Sequence, residues 1–319
     1  MGQATTVLQV LVELLGMNAQ VVMTALAVAL PLAWWALSKP TARQFTPGTR
    51  VALVVGAAGG IGSCTARRLA ADGFHVVLAD LAEQPLSRLA AEIGASKCTA
   101  LPTNITDGDA VEQLSREIAQ LKLGSTSNSP RLDLVVLAAG AAREGLFDAV
   151  PAAAHLQALT VNAGGMVRVL QAVQPLLMAT PHAAVITVGS ATCHPWAMPE
   201  YGGYAMSKAA QRALTETLAI EWRHYGIHVC DVIPPAVDTP FVTEQNTPAS
   251  IHGHFMTARV SPDSVAAGIV QEALVRTMPV AHLLRVPHCC VCSIQVAMCM
   301  FHLMQVCWRW VFSVESFPA

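Results

Sequence analysis

Between Thr49 and about Arg285, short apolar runs alternate with polar stretches of helix length. Arg50-Val51-Ala52-Leu53-Val54-Val55 is a β-branched run that predicts a strand, and Gly56-Ala57-Ala58-Gly59-Gly60-Ile61-Gly62 follows at once. A helical stretch through Arg67-Arg68-Leu69-Ala70 leads to a second apolar run, His75 to Ala79, closing on Asp80. Leu132–Ala138, Ala184–Val188 and His228–Ile233 read as further buried strands. Strand and helix in alternation predict an α/β fold: a doubly wound, Rossmann-type parallel sheet in a single domain over 46–285. Lys122 to Arg131, rich in Gly, Ser, Asn and Pro, predicts a surface loop, and no internal repeat is visible.

The flanks follow a different pattern. From 14 to 38, between Glu13 and Lys39, the chain carries no formal charge, and at about 1.5 Å per residue that run can cross a hydrocarbon core of about 30 Å. Pro31 offers a kink, and Trp34-Trp35 suits an interfacial aromatic belt. An N-terminal transmembrane helix over 1–45 is the expectation. The rival, a cleaved signal peptide, usually opens with a positive region, whereas Glu13 is the charged side chain here. Lys39, Arg43 and Arg50 follow the span and none precedes it, which orients the bulk of the chain to the cytosol. Val286 to Trp308, bracketed by Arg285 and Arg309, is a second uncharged stretch. It predicts an apolar, membrane-associated C-terminal segment over 286–319; a spanning helix, a re-entrant hairpin and a flap over a substrate mouth all fit.

Composition agrees with this division. Apolar residues make up 53% and charged residues 13%, which excludes disorder, and the mean hydropathy of +0.47 is high for a soluble domain. The formal charge is −2, and the four lysines (Lys39, Lys97, Lys122, Lys208) are scattered, so no basic stripe exists for nucleic acid. Nine cysteines, an odd number, weakly favour a reducing compartment. Cys289, Cys290 and Cys292 suit palmitoylation or packing as small hydrophobes; their spacing does not match paired zinc ligands, and no metal is expected.

The glycine loop has a physical reading. Gly56 permits the tight turn out of the strand, Gly60 lets backbone approach a pyrophosphate, and Gly62 allows close helix packing, with the diphosphate at the positive end of the next helix. Asp80 can accept hydrogen bonds from both ribose hydroxyls of NAD and would repel the 2′-phosphate of NADP, although a helix N-cap is the rival reading. Arg67, Arg68 and Arg88 lie close enough in sequence to matter. Further along, Tyr204-Ala205-Met206-Ser207-Lys208 places Tyr and Lys on one helix face. A phenol of pKa near 10 exchanges protons poorly at neutral pH until a cation stabilises its phenolate. Lys208 supplies that cation, and Tyr204 becomes the general acid for ketone reduction. Ser190, at the end of an apolar run, would hydrogen-bond the substrate carbonyl, and Asn162 would hold a relay water.

These residues together resemble the short-chain dehydrogenase/reductase family, with its Gly-x-x-x-Gly-x-Gly loop, Asn, Ser and Tyr-x-x-x-Lys in this order, over about Thr49 to Arg276. The resemblance implies catalytic Asn162, Ser190, Tyr204 and Lys208. It implies cofactor contacts from Gly56, Gly60, Ile61, Gly62, Asp80, Asn104 and Ile105. Others come from Ala139, Gly140, Tyr204, Lys208, Pro234, Val237 and Thr239. Val55 stands where the family usually has Thr, Leu137-Ala138-Ala139-Gly140 lacks the usual asparagines, and Asn104 replaces an adenine-contacting Asp. Ser190 is fourteen residues before Tyr204 where thirteen is commoner, leaving Thr192 as an outside candidate. Asn104-Ile105-Thr106 also matches a glycosylation acceptor, read here as chance.

Pro234-Pro235-Ala236-Val237-Asp238-Thr239-Pro240, followed by Glu244-Gln245-Asn246, looks like the 3-ketodihydrosphingosine reductases of the endoplasmic reticulum. That likeness implies NADPH-dependent reduction of a long-chain keto-amine by a membrane-anchored, cytosol-facing enzyme, whereas Asp80 favours NAD(H). A membrane-bound steroid or retinol dehydrogenase is the alternative, and an idle scaffold is the rival from outside the enzymes. Family analogy also implies a homodimer.

Overall fold

The computed structural model describes residues 41–42, 50–121, 131–193, 199–243 and 259–276. Among these, no helix is long and apolar enough to cross a membrane. The expected N-terminal span, the apolar segment over 286–319, the Cys289–Cys292 cluster, residues 122–130 and Glu244-Gln245-Asn246 lie outside the described residues. The described fold belongs to the unit that contains Ala42–Arg276.

Six parallel strands form the sheet: β1 (Arg50–Val55), β2 (Phe74–Asp80), β3 (Cys98–Pro102), β4 (Leu134–Leu137), β5 (Ala184–Val188) and β6 (His228–Val232). Their spatial order is β3-β2-β1-β4-β5-β6, all neighbours parallel, the arrangement in which chain direction across the sheet reverses between β1 and β4. Helices α1 (Gly60–Ala71), α2 (Glu83–Ile93), α3 (Gly108–Ala119), α4 (Ala152–Leu159), α5 (Gly165–Ala179), α6 (Gly202–Glu221) and α7 (Pro262–Leu274) connect or cover them. The doubly wound α/β reading therefore holds.

Side chains alternate across each strand, so the sheet has two apolar faces. Val51, Leu53 and Val55 of β1 pack with Val135, Val185 and Val229 against Leu114, Ile118, Val173 and Leu177 of α3 and α5. Ala52 and Val54 pack with Val76, Leu78, Val136 and Ile186 against Leu69, Leu86 and Ile269 of α1, α2 and α7. Local signals set the element ends. Asp107 caps α3 by accepting from the Asp109 amide at 3.0 Å. Just before β4, fully buried Asp133 accepts the Val51 N–H at 2.8 Å and pairs with Arg131 at 2.6 Å.

Strand β3 is the element the hydrophobic pattern did not announce. It lies at the sheet edge, only Cys98 of its residues is buried, and it ends on Pro102, so neither alternation nor an apolar run marks it.

Leu53→Ala removes a fully buried side chain at the sheet centre and is expected to cost about 2–5 kcal/mol. Ile220→Ala, at a position 77% exposed, is expected to stay within about 0.5 kcal/mol. Urea unfolding of both variants checks the core assignment; equal losses would contradict it.

Candidate active site

Strands β1, β4 and β5 end together at the reversal point, and a cleft of ≈ 440 Å³ opens above their carboxyl ends. Every residue expected at the site lines it except Asn162, which sits behind the wall, 3% exposed.

The glycine loop is built by crowding. Gly56 has φ +82°, and its amide donates to the Ala79 carbonyl at 2.8 Å. A Cβ on Gly56 would collide with the Ala139 backbone, and one on Gly62 with the Gly56 carbonyl. A Cβ on Gly60 would lie 2.5 Å from Thr239 Cγ2, so the loop after β6 closes directly over this glycine. Main chain thus lines one end of the cleft at the start of α1, a setting that fits a dinucleotide diphosphate.

Asp80, at the tip of β2, uses both carboxylate oxygens. Oδ2 accepts the Ala58 N–H of the glycine loop at 2.9 Å, and Oδ1 accepts the Ala82 N–H at 2.9 Å. The N-cap of α2 is Ala82, so Asp80 is not that cap. A carboxylate offers about four lone-pair sites, and two remain for ribose hydroxyls. Two of the nearby arginines are committed elsewhere: Arg67 to Glu92 at 2.8 Å and Arg68 to Asp263 at 2.6 Å. Asn104 lines the cleft too, but its Oδ1 already accepts from the Thr106 amide (3.0 Å) and hydroxyl (2.8 Å), closing a turn.

The opposite end carries the proton chemistry. Lys208, 4% exposed, donates to the Val188 carbonyl at 2.7 Å and to Gln211 Oε1 at 2.9 Å. Its Nζ lies 5.8 Å from the Tyr204 ring centroid, as the one-turn spacing on α6 requires. A second phenol lines the cleft: Tyr201, whose ring meets Tyr204 edge-on at 6.0 Å. Burial, then the negative charge of Glu144, pushes the Tyr201 phenol well above its ordinary range. Of these two phenols, Tyr204 is the one beside a cation. Ser190 Oγ accepts from the Thr192 hydroxyl at 2.9 Å, so the outside candidate supports the expected serine.

Asn162 falls in a π-helical turn, Thr160–Gly164, a local widening frequent at functional sites. Its Oδ1 accepts from the Ala141 amide at 2.7 Å. Its Nδ2 donates to the Ala141 carbonyl at 2.9 Å and to Ser207 Oγ at 2.7 Å. Both amide hydrogens are used, so this side chain braces the loop after β4 against α6, with the second lone pair of Oδ1 as its remaining acceptor site. Tyr201, Gln157, Val161, Phe241 and Gln211 were not announced by any motif. The first four line the cleft and the last holds Lys208; each is placed by a loop or helix face that periodicity does not specify.

Residues 50–250 match the short chain dehydrogenase family. The chain belongs to that family. Oxidoreductase UcpA of Salmonella typhimurium is 30% identical to this dehydrogenase over 204 residues, 62% of this chain and 74% of the relative. The 1-deoxy-11-beta-hydroxypentalenate dehydrogenase of Streptomyces exfoliatus is 34% identical over 242 residues, 71% and 80% of the two chains. Among solved structures, an alcohol dehydrogenase from the archaeon Thermococcus sibiricus, complexed with 5-hydroxy-NADP, has a TM-score of 0.59 at 25% identity, covering 69% of this chain and 88% of its own. This short chain dehydrogenase is thus an oxidoreductase of alcohol and ketone groups, and its homologues bind NAD(P).

Gly62→Ala, which drives a methyl group into the Gly56 carbonyl, is expected to weaken binding of the nicotinamide dinucleotide by about tenfold or more, from strain of about 1–3 kcal/mol in the loop. Fluorescence titration of the folded variant measures it; unchanged affinity would remove the glycine loop from the binding site.

Proposed function

We propose that this dehydrogenase is a membrane-anchored enzyme that reduces a lipophilic ketone, 3-ketodihydrosphingosine, to dihydrosphingosine. Its proposed setting is the endoplasmic reticulum membrane with the catalytic domain facing the cytosol, as a homodimer. The observation that carries the chemistry is the shared cleft: Ser190, Tyr204 and Lys208 line the same space as Gly56, Gly60 and Gly62. A nicotinamide cofactor, when bound, supplies the hydride. Tyr204 then donates the proton to the carbonyl oxygen, with Lys208 stabilising the phenolate left behind and Ser190 orienting that oxygen.

The substrate class rests on the sequence: the Pro234-Pro235 segment lines the cleft, and uncharged stretches flank the domain on both sides. A bilayer-dissolved ketone is best met by a site held at the membrane surface. For the cofactor, Asp80 beside the glycine loop and the prior engagement of Arg67 and Arg68 support NAD(H) over NADP(H).

Membrane preparations assayed with 3-ketodihydrosphingosine should turn over faster with NADH than with NADPH. Tyr204→Phe should lower the rate by about 10²–10⁴-fold while cofactor affinity stays within about threefold. Faster turnover with NADPH would keep the substrate and refute the role given to Asp80. Absence of turnover with either cofactor would redirect the assignment to steroids or retinoids. Protease added to sealed microsomes should digest the catalytic domain; protection would overturn the cytosolic orientation.

A further inference from the structure

Strand β6 carries an acidic residue in its interior. Asp231 lies on the face turned toward α6, the same face as Val229, while its neighbours Cys230 and Val232 pack in the core on the other side of the sheet. Its Oδ1 accepts the hydroxyl hydrogen of fully buried Thr187 at 2.6 Å. Its Oδ2 is shielded from solvent with no hydrogen-bond partner among the described residues. That oxygen lies 2.5 Å from where a Cβ would stand on Gly189, so the carboxylate presses against the backbone link between Val188 and Ser190.

Both neighbours of Gly189 belong to the site. Val188 offers the carbonyl that receives the Lys208 ammonium at 2.7 Å and the Gln211 amide at 3.1 Å. Thr187 also meets Thr215 of α6 at 3.2 Å. The charged groups that act on Asp231 are Lys208 and Arg212, both on α6, and Arg212 is itself paired with Glu216 at 2.8 Å. His228, three residues earlier on the strand, points to the opposite face, where its donor atom lies within 4.8 Å of those of Cys230 and Glu272.

We propose that Asp231 is a positioning residue that sets the electrostatics of the Tyr204–Lys208 pair from behind, as a buried counter-charge to Lys208 locked in place by Thr187 and Gly189. The proposal rests on the reading of Tyr204 and Lys208 as the proton-transfer pair. An anion lodged behind the strand end that binds Lys208 favours the protonated ammonium and opposes part of its pull on the Tyr204 phenol. The phenol is thereby tuned toward the working pH rather than driven far below it, where it would be a poor acid or base. Burial pushes the Asp231 carboxyl up to about 6, offset in part by the Thr187 hydrogen bond, then by Lys208 and Arg212. The counter-charge is withdrawn as pH falls through about 6.

The sign for stability is the reverse of the usual carboxylate case. A folded-state pKa above the unfolded value means that the contribution of this group is present at low pH and is lost as pH rises toward about 6. Removing the charge should not weaken the fold at pH 7.

The test uses the full chain in detergent and needs no substrate. The protein has three tyrosines, so phenolate absorbance can be titrated and the Tyr204 component isolated by subtracting Tyr204→Phe. Asp231→Asn is expected to move the Tyr204 midpoint down by about half a pH unit, with a thermal midpoint at pH 7 no lower than wild type. Asp231→Ser, which removes the charge and keeps an acceptor for the Thr187 hydroxyl, is expected to shift it in the same direction, and carries the test if Asp231→Asn does not fold. An unmoved Tyr204 midpoint rejects the role of Asp231 whatever the stability change. If the wild-type difference shows no phenol titrating below about 10, the Tyr204–Lys208 reading itself fails, and the proposal fails with it.

Discussion

A buried ammonium is the constraint around which the catalytic end is arranged. Lys208 is almost wholly withdrawn from water, so it must find acceptors inside the protein. It finds one at the end of β5, the Val188 carbonyl, and a second one turn along its own helix, at Gln211. The reach from α6 to the strand end ties helix to sheet where Ser190 begins the next loop. Tyr204, one turn before Lys208, is carried into the cleft by the same attachment. Ser207 completes the tie by donating to the Tyr204 carbonyl at 2.7 Å and accepting from Asn162, so the helix, the π-helical turn and the loop after β4 are held at a common point.

The other end depends on an absence of side chains. Where Gly56, Gly60 and Gly62 sit, the strand end, the start of α1 and the loop after β6 approach so closely that no methyl group would fit without a shift. A main-chain surface at a helix start is the form of site that suits a ligand carrying phosphate charge. The sheet order brings this surface beside the Lys208 end: β1, which delivers the glycine loop, and β5, which delivers Ser190, are separated only by β4. One cleft follows from those two constraints together.

Much of this was legible in the sequence because the relevant signals are local. The glycine spacing, the strand-end Asp80 and the Tyr-Lys spacing each encode a turn, a strand tip or a helix face within a few residues. What the sequence did not disclose depends on long-range placement. Strand β3 is specified by pairing with β2 at a half-exposed edge rather than by its own pattern. The π-helical turn at Asn162 arises where the amide must reach Ala141 and Ser207 at once. Asp231 reads as a single polar interruption in an apolar run, and its surroundings, Thr187 on one strand and Lys208 on a helix, come together only in the folded chain.

The hydrogen bonds of Asp80 have a consequence for how this fold changes its preferences. The same carboxylate that would meet a ribose also holds the Ala58 amide in the glycine loop and the Ala82 amide at the start of α2. Selectivity at the strand tip and order in the loop are therefore not separable traits. A lineage or an engineer exchanging this aspartate for an apolar residue would gain tolerance for an added phosphate and lose two anchors of the cradle in the same step. Restoring the anchors would take a further substitution nearby, so routes between the two dinucleotides pass through a loosened loop.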